Sequence, residues 1–199
     1  MSGYSHLVLA SASPRRLELL RSLGLRVHVV PSTYSEPAHS QVAPRELAGM
    51  HAKEKAREVA RRVPQQLVVA ADTIVDVDGV ALGKPVDEAD AVRMLRTLSG
   101  RSHEVHTAFS IVDPRSKSTT DEIETTRVWF YDLDQDQIAA YVRSGEPMDK
   151  AGAYGIQGIG ATFVRRVDGD FYAVMGLPVA RFMRALTRMG LQLDGAKEP

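Results

Sequence analysis

The chain has no cysteine, which removes disulfides, thiolate catalysis and thiolate metal sites from consideration. That absence suits a reducing compartment, and a cytoplasmic location is expected. Long apolar runs are missing too. No uninterrupted stretch approaches the ~20 residues of a membrane helix. No lysine or arginine precedes the short apolar run near the N-terminus, as a secretory signal requires. A soluble protein with no membrane partner is expected. Net charge is also lacking. Basic and acidic residues number 25 each, so no global field draws the chain to nucleic acid, and no nucleic-acid partner is expected. Internal repeats and low-complexity segments are absent. What remains is 199 residues, 44% of them hydrophobic, enough for a sizeable core in one large domain or two lobes sharing a sheet.

Apolar periodicity and punctuation give an α/β reading with a mixed sheet. Leu7-Val8-Leu9-Ala10 reads as a buried strand. Ser13-Pro14 reads as the cap and first residue of a helix carrying Leu17, Leu19, Leu20 and Leu23, which Gly24 ends. Val27 to Val30 is a second strand, Pro31 to Pro44 a polar loop, and Pro44 to Val63 a long helix. Leu67 to Ala71 is the most apolar run and reads as a central strand continuing through Val75. Asp78-Gly79 fits a hairpin turn. Asp87 caps a helix that Gly100 ends. Strands are expected over Val105 to Val112 and Glu124 to Tyr131, joined by polar Asp113 to Asp121, with a short helix over Ile138 to Val142. Further strands are expected over Thr162 to Val167 and Phe171 to Val174. Pro178 opens a last amphipathic helix, and about 194–199 reads as a frayed tail.

Five polar stretches stand out against this frame. At Ser11-Ala12-Ser13-Pro14-Arg15-Arg16 a helix N-terminus offers unpaired N–H groups, and two hydroxyls and two guanidinium groups add donors. That assembly suits an anion, although a capped helix with solvated arginines fits equally well. Asp72 and Thr73 follow a continuous apolar strand, where α/β sheets place ligand sites; the carboxylate could ligate a divalent cation or accept a proton, or be a buried aspartate satisfied by backbone donors. Lys84 lies in a Gly83-Lys84-Pro85 frame that fixes its backbone. A point-charge phosphate ligand and an exposed turn lysine are both open readings there. Lys55 belongs to the charged run Lys53 to Glu58, which spacing alone reads as a solvated helix face. The segment Asp149 to Gly158 mixes small residues with Tyr154, Ile156 and Gln157, whose amide carries the donor and acceptor that reading a base edge needs. Glu36 is a lone loop carboxylate, able to hold a cation or to stand in solvent. His103 and His106 follow no metal-like spacing and read as surface or satisfied residues.

In order along the chain, Leu9-Ala10-Ser11-Ala12-Ser13-Pro14-Arg15-Arg16, Glu54-Lys55-Ala56, Ala71-Asp72-Thr73, Leu82-Gly83-Lys84-Pro85, Ala151 to Gly158 and Gly176-Leu177-Pro178 resemble the Maf family of nucleoside triphosphate pyrophosphatases. The resemblance runs from about Leu7 to about Leu186. It implies one two-lobed domain spanning 1–199, of the Maf/ITPase-like kind, with a long mixed central sheet, flanking helices and a cleft between the lobes. It also implies hydrolysis of a nucleoside triphosphate to the monophosphate and pyrophosphate with Mg²⁺ or Mn²⁺, usually by a homodimer. On it, Asp72 is a general base or metal-associated carboxylate, and Glu36 joins the metal site. Arg16, Lys55 and Lys84 grip the triphosphate with Ser11 and Ser13. Arg15, Thr73 and Gln157 match the specificity positions of the branch acting on dTTP and UTP. A house-cleaning pyrophosphatase for modified nucleotides, such as the 7-methyl-GTP on which the sister branch acts, and a non-catalytic nucleotide-binding regulator of septum formation are the alternatives. Glu36 is followed by Pro37, where the family often carries paired acids, and Met175 precedes Gly176, in a stretch where an asparagine is common.

Overall fold

An eleven-residue strand, Leu67–Val77, organises the computed structural model, which describes residues 3–36 and 42–193. The expected tail from residue 194 and positions 37–41 of the expected loop lie outside them. In chain order the elements are β1 (Gly3–Tyr4), β2 (Leu7–Leu9), α1 (Pro14–Ser22), β3 (Val27–Val29), α2 (Pro44–Arg62), β4 (Leu67–Val77), β5 (Val80–Leu82) and α3 (Glu88–Leu98). There follow β6 (Ser102–Asp113), β7 (Ser118–Phe130), α4 (Gln135–Arg143), β8 (Val164–Asp168), α5 (Phe171–Met175), α6 (Val179–Arg188) and β9 (Gln192–Leu193). The main sheet runs β3-β2-β4-β6-β7-β8, with β5 also on β4; β1 and β9 form a separate pair. β2 is parallel to β3 and β4, and the rest of the main sheet is antiparallel, so the sheet is mixed as expected.

Strand alternation sorts β4 into two faces. Leu67, Val69 and Ala71 pack with α1 and α6 through Leu19, Leu20, Phe182 and Leu186. Val75 and Val77, on the same face, join a second cluster with α3 and α4 through Leu95, Leu98, Ile138 and Tyr141. Thr73 falls between these clusters. On the opposite face Val68 and Ala70 lie under Ala56 and Val59 of α2, and Ile74 lies under Ala48 and Ala52. Asp72 falls between those two groups. Both polar residues thus occupy seams between blocks of core.

Local chemistry explains most boundaries. The Ser13 side chain accepts from Arg16 N–H and Pro14 takes the first helical position, as the sequence predicts. Asp78 and Gly79, both at positive φ, make the β4–β5 turn. Three expectations change. Phe171 to Val174 is not a strand but part of helix α5, because the Asp170 carboxylate accepts from Tyr172 N–H and Ala173 N–H and starts a turn too short for periodicity to reveal. β7 begins at Ser118, so Asp113 to Asp121 is a tight hairpin rather than a long connection. Its outer half is only partly covered, which explains its polar residues. Gly158–Phe163 forms a 3₁₀ turn, so the strand expected over Thr162 to Val167 begins only at Val164.

Candidate active site

β6 covers one edge of β4 from Val68 to Asp76. On the other edge β2 pairs with Leu67 to Val69 and β5 with Val75 to Val77. Between them that edge carries no strand among the described residues, and a cleft of about 800 Å³ opens over it. Ser11, Ser13, Arg15, Arg16, Glu36, Lys55, Asp72, Thr73, Lys84 and Gln157, the candidates from sequence, all line this cleft. Five cationic side chains (Arg15, Arg16, Lys55, Lys84 and Lys150) face three carboxylates there (Glu36, Asp72 and Asp149). An excess of positive charge suits a polyanion. A strand position like Asp72 or Thr73 forgoes roughly 2 kcal/mol of apolar burial relative to its neighbours, so packing alone does not explain either residue.

One wall is built on α2. Lys55 Nζ lies 2.6 Å from Asp72 Oδ1 and 2.5 Å from Glu36 Oε1. Its side chain is only 14% exposed, whereas Lys53, Glu54 and Arg57 are each at least 40% exposed. The solvated face expected from the charged run is therefore real, and Lys55 is the member turned away from it. His51, Lys55, Glu58 and Arg62 follow at helical spacing and hold the segment 31–36 along the helix. Arg62 donates to Pro31 O (3.1 Å). Glu58 accepts from Ser32 Oγ (2.8 Å) and Thr33 N–H (3.1 Å). Tyr34 Oη lies 3.4 Å from His51 Nδ1. Partial burial pushes the Glu36 carboxyl up, but its hydrogen bond to Lys55 and the charges of Lys55, His51 and Lys84 outweigh this and hold it below the usual range.

A second wall is α1. Arg16 is anchored on three sides: Nε donates to Gly176 O (2.9 Å), and the two terminal nitrogens donate to Ser11 Oγ and Thr73 Oγ1, each at 3.1 Å. Thr73 Oγ1 also lies 3.0 Å from Thr107 Oγ1, so Thr73 positions the guanidinium. The opposite wall is the glycine-rich segment. Arg15 reaches across to Asp149 Oδ2 at 2.9 Å. Lys150 donates to Asp149 Oδ1 (2.6 Å) and Glu146 O (2.5 Å). The Glu146 carboxylate accepts from Ile159 N–H, Gly160 N–H and Tyr141 Oη, which fixes the turn presenting Gln157.

Sequence reasoning missed Tyr34, His51 and Glu58, and gave Asp149, the first residue of the glycine-rich stretch, no role of its own. The helical spacing of His51 and Glu58 from Lys55 is the available signal; Tyr34 and Asp149 depend on contacts across the fold. Of the two histidines read as surface or satisfied, His106 is satisfied and His103 only half so. His103 and His106 are buried, at 3% and 2% exposure, not on the surface. His106 is satisfied by Thr125 and Asp76, whereas His103 pairs with Tyr154 through Nε2 only.

A family model described as Maf-like protein matches residues 6–189. The chain belongs to the Maf family. Maf relatives over nearly its full length include a protein of Syntrophomonas wolfei, 49% identical over 93% of this chain and 98% of the relative, named dTTP/UTP pyrophosphatase. Proteins of the same name from Bacillus velezensis (48% identity, 94% of this chain, 97% of the relative) and Carboxydothermus hydrogenoformans (47%, 92% and 97%) are similar. Among solved structures, the Staphylococcus aureus Ham1 protein aligns with a TM-score of 0.55 at 14% identity, over 93% of this chain and 99% of that one. That likeness places this Maf chain in the same fold. No helix among the described residues is long and apolar enough to cross a membrane.

Proposed function

We infer that the protein is a nucleoside triphosphate pyrophosphatase that hydrolyses dTTP and UTP to the monophosphate and pyrophosphate. The observation that carries the reading is Lys55 held between Asp72 and Glu36 in a cationic cleft, in a chain nearly half identical to proteins named for this activity. Phosphoryl transfer needs positioning and charge stabilisation more than covalent chemistry, and this site offers both without a nucleophilic side chain.

In this reading Arg16, Lys55 and Lys84 grip the triphosphate, helped by the hydroxyls of Ser11 and Ser13. Asp72, its Oδ1 held by Lys55, uses Oδ2 to orient water toward the α-phosphorus. The new bond forms from that water, the bond to the bridging oxygen breaks, and pyrophosphate leaves with its electron pair. The water proton passes to the carboxylate and then to solvent. Asp72 and Glu36 each give one oxygen to the Lys55 ammonium, and their second oxygens would be the donors to a cation, an all-oxygen set that suits Mg²⁺ or Mn²⁺. A bound divalent cation would supply charge neutralisation at the phosphates. Arg15 and Gln157 meet the base, while Thr73 acts by fixing Arg16. The active form is a cytoplasmic homodimer.

The deciding experiment measures pyrophosphate release from dTTP, UTP, 7-methyl-GTP and ATP with Mg²⁺, Mn²⁺ or chelator, for the native chain and Asp72→Asn. Metal-dependent release from dTTP and UTP, lost in the variant, is expected. Release chiefly from 7-methyl-GTP would overturn the specificity. A folded chain that binds nucleotide without releasing pyrophosphate would overturn the activity. Sedimentation of the native chain tests the dimer.

A further inference from the structure

The second concentration of titratable groups lies outside the cleft. In the antiparallel register of β4 and β6, Asp76 stands opposite Glu104, and His106 is two residues along on the same face. His106 Nε2 lies 3.2 Å from Asp76 Oδ2 and 3.8 Å from Glu104 Oε2. All three ligand atoms lie within 4.8 Å of one another. Bonds of about 2.0–2.2 Å to one ion would draw them together by less than ~1 Å each.

Each group is anchored from outside the cluster through its other atom. His106 Nδ1 lies 2.9 Å from Thr125 Oγ1. Asp76 Oδ1 accepts from Gly79 N–H at 2.7 Å. Glu104 Oε1 accepts from Arg127 at 2.8 Å. One atom of each side chain is therefore left facing a shared centre, which is how supporting hydrogen bonds orient metal-binding side chains. The rival occupant of that centre is a proton. A proton on Nε2 can serve Asp76, but Glu104 at 3.8 Å is beyond hydrogen-bond range. A divalent ion serves all three groups.

Asp76 and Glu104 also line a cavity of about 430 Å³ at the end of the sheet, with Asp78, Ser102, His103 and Arg127. His103, in the same wall, turns to the opposite face of β6, against Phe130 and Tyr154. The cavity thus provides room for coordinating water on the Glu104 side.

We propose that Asp76, Glu104 and His106 form a site for a divalent transition-metal ion, separate from the cleft. One imidazole with two carboxylates favours Zn²⁺ or Mn²⁺ over Mg²⁺ and Ca²⁺, which prefer oxygen alone. Asp76 lies four residues beyond Asp72, roughly 13 Å along the strand, so one ion cannot serve both places. An ion at this site ties β4, β6 and the β4–β5 turn together just beyond the cleft floor.

The test is titration of the chelator-stripped full chain with Zn²⁺ by calorimetry, repeated for Asp72→Asn, Glu104→Gln and His106→Gln. A Zn²⁺ site that is kept in Asp72→Asn is expected, in addition to any ion the cleft carboxylates hold. Its affinity should fall at least tenfold in Glu104→Gln and in His106→Gln. Mg²⁺-supported pyrophosphate release from dTTP by Glu104→Gln should stay within twofold of native. Co²⁺ bound to the native chain should show a visible absorption band that is altered in His106→Gln. Absence of Zn²⁺ binding would overturn the proposal, as would unchanged affinity in Glu104→Gln. So would a site lost in Asp72→Asn yet kept in Glu104→Gln, because that ion would belong to the cleft. If His106→Gln fails to fold, Glu104→Gln, at the more exposed position, decides alone.

Discussion

Lys55 Nζ stands 2.6 Å from Asp72 Oδ1, an ion pair that joins helix α2 to strand β4 with both side chains at most 14% exposed. Glu36 reaches the same ammonium at 2.5 Å. The lysine therefore holds two carboxylates together that would otherwise repel.

Replacing it exposes that repulsion. Lys55→Met should lower stability by about 2–3 kcal/mol, since a largely buried carboxylate loses its partner. Pyrophosphate release from dTTP should fall at least a hundredfold. The variant should also gain more thermal stability from added Mg²⁺ than the native chain does, because a cation restores the missing charge. Melting curves with Mg²⁺ and with chelator check this; equal Mg²⁺ shifts would contradict it.

Arg15 and Asp149 form a different kind of pair, at 28% and 55% exposure on facing walls of the cleft. Solvent screening limits its contribution to stability to about 0–1 kcal/mol. Arg15→Ala should therefore melt close to the native chain while KM for dTTP rises about tenfold, with a smaller change in kcat. A fall in kcat at constant KM would place Arg15 at the reacting phosphorus instead.

Much of this site is legible in sequence because local chemistry encodes it. Ser13-Pro14 announces the start of α1, and Asp72 interrupts an apolar strand. Lys55 is not legible from its run of charged neighbours, because the side chain that turns inward is chosen by how α2 lies on β4. The Arg15–Asp149 pair spans 134 residues of sequence. The meeting of His106 with Asp76 depends on strand register, which spacing within β6 does not reveal. Helix α5 reads as a strand because five apolar and aromatic residues fit either period, and its cap, Asp170, resembles a turn residue.

Glu146 gives a pH signature. Partial burial raises its carboxyl pKa, but the amides of Ile159 and Gly160, the Tyr141 hydroxyl and the Lys150 charge prevail and lower it. A folded value below the unfolded one means the stabilisation is complete above the ordinary carboxylate pKa of about 4.3. It is lost as pH falls through the folded value. Glu146→Gln should be less stable by about 1–2 kcal/mol at pH 7 and should lose less stability than the native chain between pH 6 and pH 3. Urea midpoints across that range measure it, and parallel acid slopes would argue against the assignment.

Gly152 adopts φ +67°, and a Cβ there would meet Val75 Cγ2 at 2.9 Å. Gly152→Ala should cost about 1–3 kcal/mol through backbone strain and contact with β4. Adding Val75→Ala should recover the contact part and leave the strain. A double-mutant cycle in urea tests this, with a coupling of zero as the contrary result.

Because β4 sends Asp72 to the α2 side and Thr73 to the Arg16 side, the site is written in the parity of a single strand. One residue inserted between Ala71 and Asp72 would exchange the two faces, turning the carboxylate toward the guanidinium and the hydroxyl toward the ammonium. Two inserted residues would restore the parity and displace the pair toward β5 by roughly 7 Å. Length changes within β4 are thus constrained to even steps, while the loops on either side are free of that arithmetic.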